Sequence, residues 1–274
     1  MPQSTRIGSR EFRWGERTYI MGVINATPDS FSGDGLSGDV ESALSQALRF
    51  QSEGADIIDI GGESTRPAAQ AVSTDEELRR IIPIIESLAS EVSLPISVDT
   101  YKSEVARHAL DAGACLINDI WALKKDPALA TLAAHRSVPI LLMSNQRGEK
   151  RRHIVPAVLA DLTRAIDAAE HAGVPRQDIL IDPGIGFGKT LKQNLELLRR
   201  LRELRSLGQP VLLGTSRKSM IGMVLDLPPK ERLEGTAATV AIGIANGADL
   251  VRVHDVGPLA RVCKMADAVV RRRN

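Results

Sequence analysis

Eight short apolar runs, rich in β-branched residues, recur along the chain at 19–25, 56–60, 96–99, 115–118, 139–143, 179–182, 211–214 and 250–253. Their centres are spaced like strands alternating with crossover helices. Between and after them, helical patterns occupy 40–51, 75–91, 101–111, 127–135, 155–172, 191–207, 235–246 and 258–273. The clearest apolar face is traced by Leu191, Leu195, Leu198, Leu201, Leu204 and Leu207, with Lys and Arg between them. Strands that are apolar on both faces must be covered on both, which leaves a closed barrel or an open doubly wound sheet. The open sheet needs a glycine-rich phosphate turn after its first strand, and the residues after Ile24 hold none. Eight units in 274 residues fit a single-domain α/β (β/α)8 barrel with a short N-terminal extension. No linker divides 1–274, and the extension 1–17 is predicted to form a hairpin plugging the barrel's bottom.

Composition narrows the function classes. Lys and Arg number 35 against 34 Asp and Glu, so nothing draws the chain to nucleic acid or to an anionic membrane. Four Phe, two Tyr and two Trp are too few for a base-stacking platform. No apolar run approaches the roughly 20 residues of a membrane span, and the polar start 1–13 carries no secretory pattern. A cytoplasmic location is expected. Cys115 and Cys263 make neither a disulfide framework nor a zinc site.

Barrel chemistry sits at the C-terminal ends of the strands. There the sequence places Asn25, Asp99, Asn118, Asp182, Arg252 and His254, with Thr65-Arg66 and Thr215-Ser216-Arg217-Lys218 in the loops. A polar side chain within a buried strand end is costly unless something pairs with it. Asp99, Asn118, Asp182 and Lys218 can converge on a flat heterocycle bearing amino, ring N–H and carbonyl groups. Asn25, Arg66, Arg252 and His254 form a second, anion-friendly set. Only the strand 139–143 ends blandly, at Met143-Ser144-Asn145. Gly188-Lys189-Thr190 mimics the end of a P-loop, but Pro183 stands where that loop needs glycine. The basic runs 147–152 and 271–273 are read as solvated surface.

Several blocks together resemble the dihydropteroate synthases, pterin-binding enzymes of folate biosynthesis and targets of sulfonamides. The similarity extends from Tyr19 to about Ala266. It rests on 21–32, 56–67, 96–100, 182–190, 214–219 and 252–256, including Gly61-Gly62-Glu63-Ser64-Thr65-Arg66-Pro67 and Asp182-Pro183-Gly184-Ile185-Gly186-Phe187-Gly188-Lys189-Thr190. The resemblance implies a (β/α)8 barrel and a transferase. In its reaction 4-aminobenzoate displaces pyrophosphate from (7,8-dihydropterin-6-yl)methyl diphosphate, giving 7,8-dihydropteroate. It further implies Asp99, Lys218, Arg252 and His254 as catalytic groups. Substrates would meet Thr65, Arg66, Asp99, Asn118, Met143, Asp182, Phe187, Gly214, Ser216, Lys218, Arg252 and His254. Asn25 would bind Mg2+, a mobile loop around 27–35 would border the arylamine, and the protein would be a homodimer.

The arylamine is already a nucleophile, so the expected work is positioning, water exclusion and neutralisation of the leaving diphosphate. A dissociative path, with positive charge spread over the pterin, fits the acidic residues Asp99 and Asp182. The alternatives are a non-catalytic pterin-binding paralogue, a methyltetrahydrofolate–corrinoid methyltransferase and a sugar-phosphate barrel enzyme. The last lacks a strand lysine. Two departures from the family pattern stand out: Ser144 where it commonly has histidine, and Ser32-Gly33-Asp34-Gly35 in the first loop.

Overall fold

A computed structural model describes residues 3–26, 36–64 and 71–271. β1 (Ser4–Ile7) and β2 (Arg10–Arg13) form an antiparallel hairpin. The parallel strands are β3 (Tyr19–Asn25), β4 (Ile57–Gly61), β5 (Ile96–Asp99), β6 (Leu116–Asp119), β7 (Ile140–Met143), β8 (Ile179–Asp182), β9 (Leu212–Leu213) and β10 (Leu250–Val253). They are hydrogen-bonded in the order β8-β7-β6-β5-β4-β3-β10-β9. A single bridge between Ile181 and Val211 brings the two ends together, with the Ile181 N–H donating to the Pro210 carbonyl at 3.0 Å. The result is the expected barrel of eight parallel strands.

Around it lie α1 (Leu36–Glu53), α2 (Thr74–Glu91), α3 (Ser103–Asp111), α4 (Ala128–Arg136), α5 (Ile154–His171), α6 (Leu191–Arg199), α7 (Ser219–Leu225), α8 (Leu233–Ala245) and α9 (Val256–Val270). The period-two alternation of each strand sorts its residues. Ile24, Ile60, Val98, Ile117, Leu142, Ile181 and Val253 face the helices in one apolar layer. Met21, Ile57, Leu116, Leu141, Leu180, Leu212 and Leu250 share a second cluster that fills the lower interior. The hairpin closes this floor, as predicted: Ile7, Phe12 and Trp14 pack into the same cluster with Tyr19. The three rings lie 4.8 Å, 5.4 Å and 5.9 Å apart in pairs. One step further up the same inward faces, the side chains become Asp59, Ser97, Asn118, Asp182 and Arg252. The interior passes from an apolar floor to a charged mouth.

Three elements differ from expectation. The helix predicted at 191–207 ends at Arg199 and continues as a 3-10 helix over Leu201–Leu207. Leu198, Leu201, Leu204 and Leu207 are spaced by threes, which matches three residues per turn and keeps Leu201 and Leu204 buried in the tighter coil. The short helix α7 has no predicted counterpart, because its apolar residues surround it: Met220 and Ile221 are buried while Met223, Val224 and Leu225 are exposed. The last helix stops at Val270, and Arg271 is not solvated surface. Its guanidinium donates to Asp267 Oδ1 at 2.7 Å and to the Ala248 carbonyl at 2.8 Å. The remaining arginines of that run lie outside the described residues.

Gly22 on β3 faces the helices, and a Cβ there would come within 2.5 Å of the Phe50 ring. Phe50 is fully buried on α1, so the ring cannot swing aside without opening the core. Gly22→Ala should lower unfolding stability by about 1–3 kcal/mol, read from urea denaturation. An unchanged midpoint would mean that α1 repacks freely.

Candidate functional site

The mouth is built from inward-facing side chains at successive strand ends. Arg252 on β10 reaches across to two strands. Its Nε donates to Asp59 Oδ2 at 2.6 Å and its Nη2 to Asp99 Oδ2 at 2.7 Å. Asn118 on β6 donates through Nδ2 to Asp59 at 3.2 Å, which leaves its carbonyl oxygen as an acceptor facing elsewhere. Gly214, just past β9, marks the convergence. A Cβ there would stand 3.6 Å from Lys218 Nζ, 3.8 Å from Asp182 Oδ2 and 3.8 Å from Arg252 Cβ. Lys218 donates to the Ile185 carbonyl at 2.6 Å, and Asp182 Oδ1 accepts from the Gly184 N–H at 2.6 Å.

An apolar wall completes this side: Phe187, Met143 and Ile120 form one buried cluster, with Trp121 packed against it. The Phe187 ring lies 4.8 Å from Lys218 Nζ and 4.8 Å from the Arg147 guanidinium. At the rim, Ser216 Oγ accepts from the His254 backbone N–H at 3.2 Å and lies 3.0 Å from His254 Nδ1. Arg217, held at a left-handed φ of 56°, pairs with Asp255 and ties the Ser216 loop to the end of β10. Asn25 ends β3 in register with Gly61, beside Asp99 on β5.

Burial sets the electrostatics. It raises Asp99 to about 7 against the opposing pull of Arg252, and raises Asp182 against Lys218. It lowers Lys218 to about 8 although Asp182 is adjacent. Burial also draws Arg252 downward, but Asp59 and Asp99 outweigh it and keep the guanidinium charged. His254 is pushed down to about 4, by burial first and then by Arg252 and Arg217, so near neutral pH its imidazole is uncharged.

Of the residues expected from sequence, Asp99, Asn118, Asp182, Gly214, Lys218 and Arg252 gather at the mouth, with Phe187, Met143, Ser216, His254 and Asn25 at its wall and rim. Thr65, Arg66 and the 27–35 loop lie outside the described residues. Two corrections follow. Arg147 is not solvated surface, since it is half-buried against Phe187. The end of β7 is not bland: Ser144, Asn145 and Gln146 are all buried and hydrogen-bonded. Asp59 was missed. Its signal was a lone carboxylate in Ile57-Ile58-Asp59-Ile60, two residues from the inward-facing Ile57 and analogous to Asp99 and Asp182. Neighbouring Asp56 has a different task, pairing with Arg17 at the barrel's foot.

Such a site can hold a flat, nitrogen-rich ring between acceptors and an ammonium donor, and a charged substituent beside Arg252 and His254. A profile of the family described as pterin binding enzyme matches residues 21–254. A dihydropteroate synthase from Clostridium beijerinckii is 52 % identical over 268 residues, covering 97 % of this chain and 100 % of that one. Among solved structures, a dihydropteroate synthase from Clostridium difficile, determined in the presence of pteroic acid, superposes with a TM-score of 0.92 at 48 % identity. It covers 94 % of this chain and 99 % of its own. The Xanthomonas albilineans dihydropteroate synthase with 4-aminobenzoic acid gives a TM-score of 0.93 at 43 % identity, covering 98 % of both chains.

Lys218 leaves a thermodynamic mark independent of any ligand. Its folded pKa is depressed to about 8 from an ordinary 10.5. Between those values the unfolded chain holds a proton that the folded chain has lost, so this group makes stability rise with pH across that window. Lys218→Met should flatten the rise, measured as unfolding free energy between pH 8 and 10. Parallel curves for the two proteins would place Lys218 in water.

Proposed function

The chain belongs to the pterin-binding enzyme family, and within it to the dihydropteroate synthases; from that premise we propose how its residues carry the reaction. Asp99, Asn118, Asp182 and Lys218 hold the pterin ring, carboxylates and amide carbonyl accepting from its N–H groups and the ammonium donating to its carbonyl or ring nitrogen. The observation that carries this reading is the approach of Lys218, Asp182 and Arg252 to one point above Gly214, within 4 Å of it. Arg252, held by Asp59 and Asp99, retains N–H donors for the diphosphate. Neutral His254 adds a hydrogen-bond donor there if Ser216 supplies the proton accepted at Nδ1, which places the ring proton on Nε2.

Departure of pyrophosphate comes first in the proposed sequence. The bond from the pterin methylene carbon to oxygen breaks with its electron pair leaving on the diphosphate. The carbon's positive charge spreads into the ring and is favoured by Asp99 and Asp182 in a water-poor mouth. The arylamine, lying against Phe187, Ser216, Thr65 and Arg66, then attacks and loses its extra proton to solvent. Mg2+ is proposed with Asn25 as its protein ligand. Mg2+ commonly takes one or two protein oxygens and completes its shell with water and substrate phosphates. The amide oxygen of Asn25, at the end of β3 in register with Gly61, is of the hard donor type that Mg2+ takes. The metal would neutralise charge on the leaving group.

Homodimer formation is proposed through α7, α8 and α9. Met223, Val224, Leu225, Ile242, Met265, Val269 and Val270 lie there, all exposed, and only Leu48 among the described large exposed apolar residues lies elsewhere. No helix among the described residues is long and apolar enough to cross a membrane. The reading places the enzyme in the cytoplasm with its small-molecule substrates.

The deciding experiment mixes the purified protein, Mg2+, 4-aminobenzoate and dihydropterin diphosphate and follows pyrophosphate. Release is expected, with sharp slowing on chelation. An undiminished rate in chelator removes the metal from the mechanism. In rapid quench without the arylamine, pyrophosphate should still appear; strict dependence on the amine would favour direct displacement.

For kcat/KM of the pterin substrate, activity should rise with pH as Asp99 ionises through about 7 and fall as Lys218 loses its proton above about 8. A profile flat from pH 6 to 9 would contradict those roles. Arg252→Ala should weaken binding of the diphosphate substrate by tenfold or more, about 1.4 kcal/mol or greater. Binding of the bare pterin, measured by calorimetry, should change less; equal losses for both would detach Arg252 from the diphosphate.

A further inference from the structure

We infer that Asp161, on α5 and outside the pocket, is a positioning residue for the wall that meets the arylamine. The inference rests on the assignment of Phe187 to that wall.

Three residues after β7, Ser144, Asn145 and Gln146, are buried although none is apolar. Two of them reach one carboxylate. Asp161, 3 % exposed, accepts from Ser144 Oγ at 2.8 Å and from Gln146 Nε2 at 3.0 Å. Lys124 donates to Asp161 Oδ2 at 2.8 Å and also to the Asn145 carbonyl at 3.0 Å. Arg164 adds a longer contact of 3.3 Å from the surface. A carboxylate has about four lone-pair positions, and here they fix a turn tied to β8 by one ladder bond, from the Ser144 N–H to the Asp182 carbonyl at 2.9 Å.

That turn in turn holds the loop after β8. The Gln146 N–H donates to the Phe187 carbonyl at 3.3 Å. Lys189 donates to the carbonyls of Ser144 and Gly184, each at 2.8 Å, and of Phe187 at 3.2 Å. The two segments touch backbone to backbone. A Cβ on Gly184 would lie 2.1 Å from the Ser144 carbonyl oxygen, and one on Gly188 would lie 2.2 Å from the Gln146 carbonyl carbon. They can shift only together, so the placement of the Phe187 ring follows from Asp161 by way of Ser144 and Gln146.

The effect should divide between the two substrates. Asp182, which serves the pterin, also meets this turn, since the Ser144 N–H donates to its carbonyl at 2.9 Å, but its side chain stands on β8, whose four residues pair in register with β7. Phe187 has no such ladder; its carbonyl is held by Gln146 and Lys189. Asp161's hydrogen-bond partners among the described residues are Lys124, Ser144, Gln146 and Arg164, none of them on the strands β5, β6 and β10 that carry Asp99, Asn118 and Arg252. Ser144 Oγ and Gln146 Nε2 donate to the same carboxylate oxygen, Asp161 Oδ2.

The test is steady-state kinetics on the full-length protein with each substrate varied in turn. Asp161→Asn keeps the volume and removes the charge. It should raise KM for 4-aminobenzoate about tenfold, with kcat and KM for the pterin diphosphate within about twofold of wild type. Ser144→Ala should move the same constant in the same direction by about threefold, and provides the reading if Asp161→Asn does not fold. Phe187→Ala is the control for the underlying assignment. If Phe187→Ala raises KM for 4-aminobenzoate while Asp161→Asn and Ser144→Ala leave it unchanged, the inference is overturned and the wall assignment stands. If Phe187→Ala itself leaves it unchanged, the assignment fails and takes the inference with it. Equal changes in both KM values and in kcat would show a general structural role, and would likewise overturn it.

Discussion

Burying a guanidinium between two carboxylates inside a barrel is the constraint to which the rest of the molecule answers. Arg252 lies between Asp59 and Asp99 at 2.6 Å and 2.7 Å, and Asp59 has no solvent exposure. Desolvating three charges is expensive, and such clusters are poor sources of stability even when well hydrogen-bonded. Replacing them with apolar residues would often be neutral or stabilising, so their presence here is explained by what they hold. Lys218 and Asp182 repeat the pattern on the other side of the mouth. Each counters part of the other's burial penalty, yet both remain displaced from their ordinary pKa values. A ring that supplies N–H donors to the acids and acceptors to the lysine relieves that displacement. Perturbed groups of this kind cluster where ligands bind.

The apolar floor makes this affordable. Hairpin rings and the lower strand residues seal the bottom of the cylinder, so the charged layer opens in one direction only. Sequence alternation alone builds this gradient. On β4 the inward faces run Ile57 then Asp59, on β6 Leu116 then Asn118, on β8 Leu180 then Asp182, and on β10 Leu250 then Arg252. Each pair is separated by two residues, the strand period, and each switches from apolar to polar toward the C-terminal end.

That pattern explains what could be read before any coordinates. Strand existence was legible because apolar runs bounded by loops are strong local signals, and several boundaries, such as 19–25 and 179–182, coincide with the structure. The 3-10 segment at Leu201–Leu207 was not, because leucines at steps of three also satisfy an α-helical reading until the third turn. Asp59 is harder to read because polar residues signal a site most plainly at strand ends, whereas it sits two residues short of the end of β4. Ser144, Asn145 and Gln146 escaped for a different reason. Neutral polar residues after a strand look like an ordinary loop, and only the carboxylate of Asp161, distant in sequence, makes them a buried network. Arg147 resembled the rest of its basic run, and its neighbour Phe187 comes from another strand's loop. Long-range partners of this kind leave no local trace.

The seam between β8 and β9 adds a mechanical asymmetry. β9 has only two residues and meets β8 through one bridge, whereas β7 and β8 align over four residue pairs. Parting the seam sacrifices about 1 kcal/mol per hydrogen bond, far less than separating two long staves. Asp182 stands on one lip of this slit and Gly214, with Lys218 just beyond it, on the other. The two staves whose ends carry Asp182 and Gly214 are therefore the pair least tied by backbone hydrogen bonds in the ring.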